Sequence, residues 1–179
     1  MMWLVNGLII LITVVVMEAV AYATHRYIMH GPVGWVWHRS HHEETEGFFE
    51  TNDLYAVFCM VTSAALIMAG IEGFWPLLQI GVGLVLYGVL YFIVHDGLVH
   101  QRWPFRYLPK RGYLKRLVQA HKMHHAVEGR EGCVSFGFLY APPIRALKAR
   151  LQAQPAPSLQ RMSLEPESEP KEQANRAQA

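Results

Sequence analysis

The sequence predicts an all-α membrane protein, with about three transmembrane helices and a cytoplasmic, histidine-rich helical cap. Three observations predict it. The N-terminal part of the chain holds three long apolar segments. All 16 Lys and Arg lie at Arg26 or later, and none falls in the turn at 71–76. Each of the ten histidines sits at or beyond the end of an apolar segment.

The bulk numbers agree. A chain of 179 residues suits one domain. Hydrophobic residues make up 52% and charged residues only 17%, an apolar balance for a soluble protein. A net charge of +2 gives no electrostatic footprint for nucleic acid. Two cysteines, Cys59 and Cys133, are too few for a disulfide scaffold or a thiolate cage. They read as small apolar residues.

The first span is Trp3 to Ala23, broken only by Asn6, Thr13 and Glu18. Its length as a helix is about 31 Å, enough for the hydrocarbon core. A signal peptide is the rival reading, since "AVAYA" resembles a cleavage site. No Lys or Arg precedes the apolar run, so the basic n-region is missing. Leu54 to Ile71 is the second span, entered through the capping residues Asn52 and Asp53. "IEGFWP" then makes a turn with Trp75 at the interface. Leu77 to Val94 is the third span, with Gly81, Gly83 and Gly88. The apolar stretch 133–143 is too short to cross, and reads as a membrane-embedded or interfacial segment or a buried wall. Residues 1–150 are expected to form the membrane domain. The tail 151–179, rich in Pro, Gln, Ser, Glu and Ala, is expected to be disordered.

With three spans, segments 25–53 and 95–179 share one side. The positive-inside rule makes that basic side cytoplasmic. It also holds every histidine.

The histidines fall into four groups. His25 and His30 form one H-x4-H pair, and His95 and His100 the other. His38, His41 and His42 form one H-x-x-H-H triple, and His121, His124 and His125 repeat it. Positions i, i+3 and i+4 share a helix face, so a triple can point at one centre or at two adjacent ones. Positions five apart diverge by about 140° on an ideal helix. So each H-x4-H pair either serves two metals or lies where the helix unwinds, for which Gly31-Pro32 and Gly97 offer places. A lone histidine is usually an ordinary interfacial residue. A duplicated pattern that leaves none over is a metal-binding pattern. Zinc sites close with about four ligands, and no H-E-x-x-H is present. Haem would need histidines within facing spans. Two roughly six-coordinate ions with imidazole ligands use the whole set.

The order H-x4-H, H-x2-H-H, H-x4-H, H-x2-H-H resembles the fatty acid hydroxylase/sterol desaturase superfamily. The short chain and its two H-x4-H pairs are similar to the bacterial β-carotene hydroxylase branch. The resemblance covers about residues 1–145. It implies a non-haem di-iron centre with all ten histidines at motif positions, and dioxygen as co-substrate. It implies 3-hydroxylation of the β-ionone rings of β-carotene, through β-cryptoxanthin to zeaxanthin, and a ferredoxin-type electron donor. The layout alone says only that an apolar substrate reaches a metal site from the bilayer. Within enzymes the alternative is a hydroxylase or desaturase of a sterol or fatty acid. Outside them it is a non-catalytic membrane metal-binding protein, although transporter ligands sit near the bilayer midplane rather than at one edge.

Supporting residues follow from position. Glu18, Tyr22 and His25 share one helix face, and a carboxylate inside a span needs a reason. Glu18, Tyr22 and Asp96 are therefore candidates to hydrogen-bond a ligand histidine. Neighbours on a helix diverge by about 100°, so Asp96 is expected to serve a histidine other than His95. Asp53 is expected to be a cap. Trp35, Trp37, Phe48, Phe49, Tyr55, Phe136 and Phe138 are candidates to line a substrate channel, against the plainer reading of interface belt or core. Arg102, Arg106, Lys110, Arg111, Lys115, Arg116 and Lys122 form a basic run that suits lipid headgroups or an acidic redox partner.

Overall fold

The computed structural model describes residues 1–43, 49–104, 106–127 and 129–154. Among the described residues there are helices and no strand. Helix α1 spans Met2–Ala23 and continues without a break into a π-helical turn, Thr24–Met29. Helix α2, Trp35–His42, is short. Helices α3, Asp53–Ile71, and α4, Leu77–Tyr91, follow. A second π-helical turn, Phe92–Val99, extends α4. Helices α5, Gly112–His125, and α6, Ile144–Gln152, complete the regular structure among the described residues.

Among the described residues, three stretches are long and apolar enough to cross a membrane: Met2–Met29, Asp53–Ile71 and Leu77–Val99, with mean hydropathy 2.4, 2.1 and 2.2. The shortest, at 19 residues, is about 29 Å long as a helix. Their outer faces carry exposed Val15, Val16, Phe58, Met60 and Leu86, which suits lipid as solvent.

Helix α4 packs between α1 and α3. Two glycines set the approach. A Cβ on Gly81 would lie 2.7 Å from Ile67 Cγ1 on α3, and one on Gly83 would lie 2.6 Å from Thr13 Cβ on α1. Small residues at such crossings let membrane helices pack on backbone. At the far end, Trp75 Nε1 donates to Asn6 Oδ1 at 3.2 Å and ties the α3–α4 turn to the start of α1.

At the other end a small core forms from Val99, Leu117, Val118, Ala120, Val134, Ala141 and Leu147. It joins the π-turn of α4 to α5, α6 and the 133–141 segment. That segment is a buried wall, with Cys133, Val134, Ser135, Phe136, Phe138 and Ala141 all buried. Leu151 packs against the same core, so α6 runs to Gln152, past the composition boundary at 150.

The π-turns take the place of the expected unwinding. The first helix widens over Thr24–Met29 and ends at His30, just before Gly31-Pro32; the second widens over Phe92–Val99, with Gly97 inside the turn. His30 N–H donates to His25 O at 3.0 Å, and His100 N–H donates to His95 O at 2.9 Å. An i→i+5 bond closes a wider turn, and so brings residues five apart onto one face.

Candidate metal centre

All ten histidines converge. Two clusters have ring nitrogens close enough to share an ion: His25, His30, His38 and His124, and His41, His95, His100 and His121. His42 lies 4.9 to 5.1 Å from the rings of His30, His38 and His124, and so extends the first cluster. His125 Nε2 lies 2.9 Å from His121 Nε2 and extends the second. The two added rings stack on each other at 4.5 Å, where the clusters meet.

Local structure divides the histidines between the two clusters. Each π-turn delivers an H-x4-H pair to one cluster: His25 and His30 to the first, His95 and His100 to the second. Each triple is divided. Positions i and i+4 stay together, as His38 with His42 and His121 with His125. Position i+3 crosses over, His41 to the second cluster and His124 to the first. A helix turn is the right length for this, since i+3 and i+4 straddle the axis of the i row.

The Nδ1 atoms are held from outside. His25 Nδ1 donates to Phe136 O at 2.9 Å, His30 Nδ1 to Arg130 O at 2.9 Å, and His124 Nδ1 to Val134 O at 3.0 Å. His38 Nδ1 donates to Asn52 Oδ1 at 2.7 Å. His41 Nδ1 donates to Glu50 Oε2 at 2.9 Å, and His95 Nδ1 to Asp96 Oδ1 at 2.8 Å. A carbonyl or carboxylate only accepts, so each of these Nδ1 atoms carries the proton and each Nε2 carries a lone pair.

Those lone pairs then face each other. His25 Nε2 lies 3.1 Å from His38 Nε2, His30 Nε2 lies 3.1 Å from His124 Nε2, and His41 Nε2 lies 3.2 Å from His95 Nε2. Two lone pairs at that distance repel unless a cation lies between them. Nitrogens bound to one ion at about 2.1 Å and at right angles lie about 3.0 Å apart, so the spacing fits. Both ring nitrogens of His42 are buried and meet no hydrogen-bond criterion, although the Val127 backbone lies near enough to act on the ring. Burial is the largest cause holding the imidazoles neutral, the form that binds metal. It lowers His38 to about 3 and His42 and His100 to about 4. It also holds His30, His41, His121, His124 and His125 below the usual histidine range. Cys133 lies beside the first cluster. With His30, His42 and His124 it forms a third group close enough to share an ion. Burial pushes its thiol up to about 12, and Sγ donates to Gly129 O at 3.3 Å.

The candidates that support the ligands divide. Asp96 does hold a histidine, but it is its own neighbour His95. The 100° divergence is that of an ideal α-helix, whereas His95 and Asp96 lie in a π-turn. Glu18 touches no histidine through a hydrogen bond. Its Oε1 accepts from the N–H groups of Phe138, Leu139 and Tyr140 at 3.0, 3.0 and 2.9 Å. Tyr22 packs edge-on against Phe136 and accepts from Arg26 at 3.0 Å. Asn52 and Asp53 make no side-chain cap on α3. Asp53 Oδ2 accepts from the Glu50 N–H at 3.0 Å, and Arg102 pairs with both Glu50 and Asp53. Glu50 and Asn52 are the residues that sequence reasoning missed.

Of the aromatic candidates, Trp35 lies 5.3 and 5.2 Å from the rings of His30 and His42. Phe136 lies within 5.5 Å of His25, His30 and His124. Phe138 stacks on His25 at 5.1 Å and meets His95 at 5.2 Å, so it spans both clusters. Tyr91, which was not a candidate, stacks on His95 at 4.5 Å. Trp37 and Tyr55 pair with each other instead. Phe49 is largely exposed, and Phe48 lies outside the described residues.

Two openings flank the clusters. A groove of about 990 Å³ runs between α1, the wall and α6, lined by Val15, Ala19 and Tyr22 and bounded inward by Phe136. A smaller opening of about 350 Å³ reaches His41, His100, His121 and His125, with Gln101 and Lys122 at its rim.

The chain matches the fatty acid hydroxylase family model over residues 10–141. It is 62% identical over 152 residues to a β-carotene hydroxylase of Pantoea ananas, covering 85% of this chain and 86% of that one. It is 59% identical over 146 residues to a β-carotene hydroxylase of Paracoccus sp. (strain PC1), covering 81% and 90%. A chloroplastic β-carotene 3-hydroxylase 2 of Arabidopsis thaliana is 39% identical over 113 residues, covering 61% and 37%. No solved structure matches the chain.

Proposed function

The chain belongs to the fatty acid hydroxylase family, and from that premise we propose that it is a non-haem di-iron monooxygenase that hydroxylates C3 of the β-ionone rings of carotenoids. β-Carotene passes through β-cryptoxanthin to zeaxanthin. The relatives called β-carotene hydroxylase support the substrate. The observation that carries the metal reading is the facing of Nε2 lone pairs across three histidine pairs.

His25, His30, His38, His42 and His124 would hold one iron, and His41, His95, His100, His121 and His125 the other. Five imidazoles a site exceed the usual four of zinc and suit an ion that takes more ligands. The bound pair supplies the dioxygen chemistry that an unactivated C–H bond requires. The chain does the rest. Carbonyls and carboxylates on Nδ1 lock each ring with Nε2 inward. Phe138, Tyr91, Phe136 and Trp35 cover the histidines with apolar surface and keep bulk water from them. The groove along Val15, Ala19 and Tyr22 offers a lipid-dissolved ring an approach that ends at Phe136.

One oxygen atom enters the C–H bond and the other leaves as water, so electrons and protons must come from outside the chain. The smaller opening lies beside exposed Lys122. Arg106, Lys110, Arg111 and Lys115 are also exposed. They suit an acidic ferredoxin-type donor on the cytoplasmic face of a bacterial inner membrane. Arg102 does not join them, because Glu50 and Asp53 occupy it.

The test is expression in a bacterial host that makes β-carotene, with pigments and membrane-bound iron measured together. Zeaxanthin with about two irons per chain is expected. No hydroxylated pigment from a chain that carries iron would refute the substrate.

A further inference from the structure

The two clusters look alike from inside, with five imidazoles each. They differ in what holds the rings from behind. Around the first cluster every Nδ1 acceptor in hand is neutral: Phe136 O, Arg130 O, Val134 O and the Asn52 amide oxygen. Around the second, His41 and His95 both donate to carboxylates, Glu50 and Asp96. Asp53 stands close by, bonded to the Glu50 N–H. Arg102 is the cation facing this group, and it contacts Glu50 and Asp53. Three carboxylates against one guanidinium leave the second cluster backed by negative charge.

The physics has a clear sign. A carboxylate accepting from Nδ1–H draws the proton away from the ring and makes Nε2 a stronger donor. Negative charge in a half-buried setting also stabilises a nearby cation through space, and more so the higher its charge. A neutral carbonyl or amide orients the ring without either effect.

We propose that the two metal positions are unequal by construction: the site of His41, His95, His100, His121 and His125 binds a divalent ion first and holds the lower reduction potential. This rests on the two-metal reading above. Glu50 and Asp96 are positioning residues, acting on the ion through His41 and His95. One consequence follows from the smaller opening, which reaches His41, His100, His121 and His125. An electron entering there would reach the lower-potential site first, and transfer to the other site would be downhill.

The experiment uses the full chain in detergent, stripped of metal and titrated anaerobically with ⁵⁷Fe(II) against a chelator of known affinity. Bound iron and Mössbauer spectra are read at each step. Two binding steps at least about tenfold apart are expected, with one quadrupole doublet filling before the other. Glu50→Gln and Asp96→Asn should each weaken the tighter step by about 10- to 100-fold and leave the weaker one in place. Asn52→Asp gives the first cluster a carboxylate and should strengthen the weaker step. Asp96→Asn leaves the Arg102 pairs intact, so it reports even where Glu50→Gln disturbs the fold. Two ions of equal affinity in the unaltered chain, or carboxamide variants that weaken both steps alike, would overturn this inference and leave the two-metal reading standing. A chain that takes only one ion would overturn both.

Discussion

The Glu18 carboxylate accepts a hydrogen bond from the Tyr87 hydroxyl at 2.9 Å, joining α1 to α4 within the membrane-spanning layer. The same carboxylate receives three successive backbone N–H groups of the wall, from Phe138 to Tyr140. Gly137 makes room, since a Cβ there would lie 2.9 Å from Glu18 Oε1. The costly charge is thus a clasp, and the wall it holds carries the carbonyls of Val134 and Phe136 to His124 and His25.

Glu18→Ala leaves those N–H groups without their acceptor, at about 1–3 kcal/mol for each group left buried and unsatisfied. The expected outcome is a lower melting temperature and reduced iron content in purified protein, with product falling in step with iron. Tyr87→Phe removes one donor and should cost only about 1 kcal/mol. A Glu18→Ala protein with unchanged melting temperature and iron would dismiss the clasp.

Single alanine substitutions in the two triples divide by cluster. His38, His42 and His124 belong to one set, and His41, His121 and His125 to the other. On the two-iron reading, each substitution is expected to abolish hydroxylation. Each should also lower iron towards one per chain rather than none. Full zeaxanthin yield from any two of these variants, at matched protein, would sink the di-iron assignment.

The topology is checked by reporter fusions. Met1 is expected outside the cytoplasm with the 71–76 turn, and His25 inside. The Trp75–Asn6 hydrogen bond already puts the turn and the N-terminus at the same end of the bundle. A fusion in the turn that reads as cytoplasmic would invert the whole arrangement.

How much was legible depends on which atoms did the work. The three spans lay open in the sequence because lipid demands long apolar runs. The ten histidines lay open because their pattern is duplicated. The π-turns were hidden, since an H-x4-H pair looks splayed on any ideal helix. Three of the acceptors that aim the rings are backbone carbonyls, of Arg130, Val134 and Phe136, and any residue type supplies one. Asn52 and Asp53 had the look of a helix start, and that local logic masked their use by His38 and Glu50. Glu18 announced a cost but not its partners, which are backbone N–H groups some 120 positions away.

The C-terminal end gives the last test. Residues 151–179 contain no histidine. Helix α6 runs past Arg150, to Gln152. Leu151 packs on the core beside Leu147, and Gln154 Nε2 donates to Gly132 O at 2.5 Å, just before the wall begins at Cys133. Gly132 itself sits at φ +85, a left-handed position that a side chain would strain. Two stop points therefore separate the tail from the clasp on the wall. A chain ending after Gln154 should keep hydroxylation per molecule of enzyme nearly intact. A chain ending after Arg150 should lose thermal stability by about 1–3 kcal/mol, for a missing apolar contact and an unsatisfied carbonyl. Product is measured in membranes and normalised to protein and iron, with melting temperatures on the purified chains. A drop beyond about tenfold for the longer chain, roughly 1.4 kcal/mol in the limiting barrier, would mean that the residues after Gln154 take part in the site or in docking the electron donor.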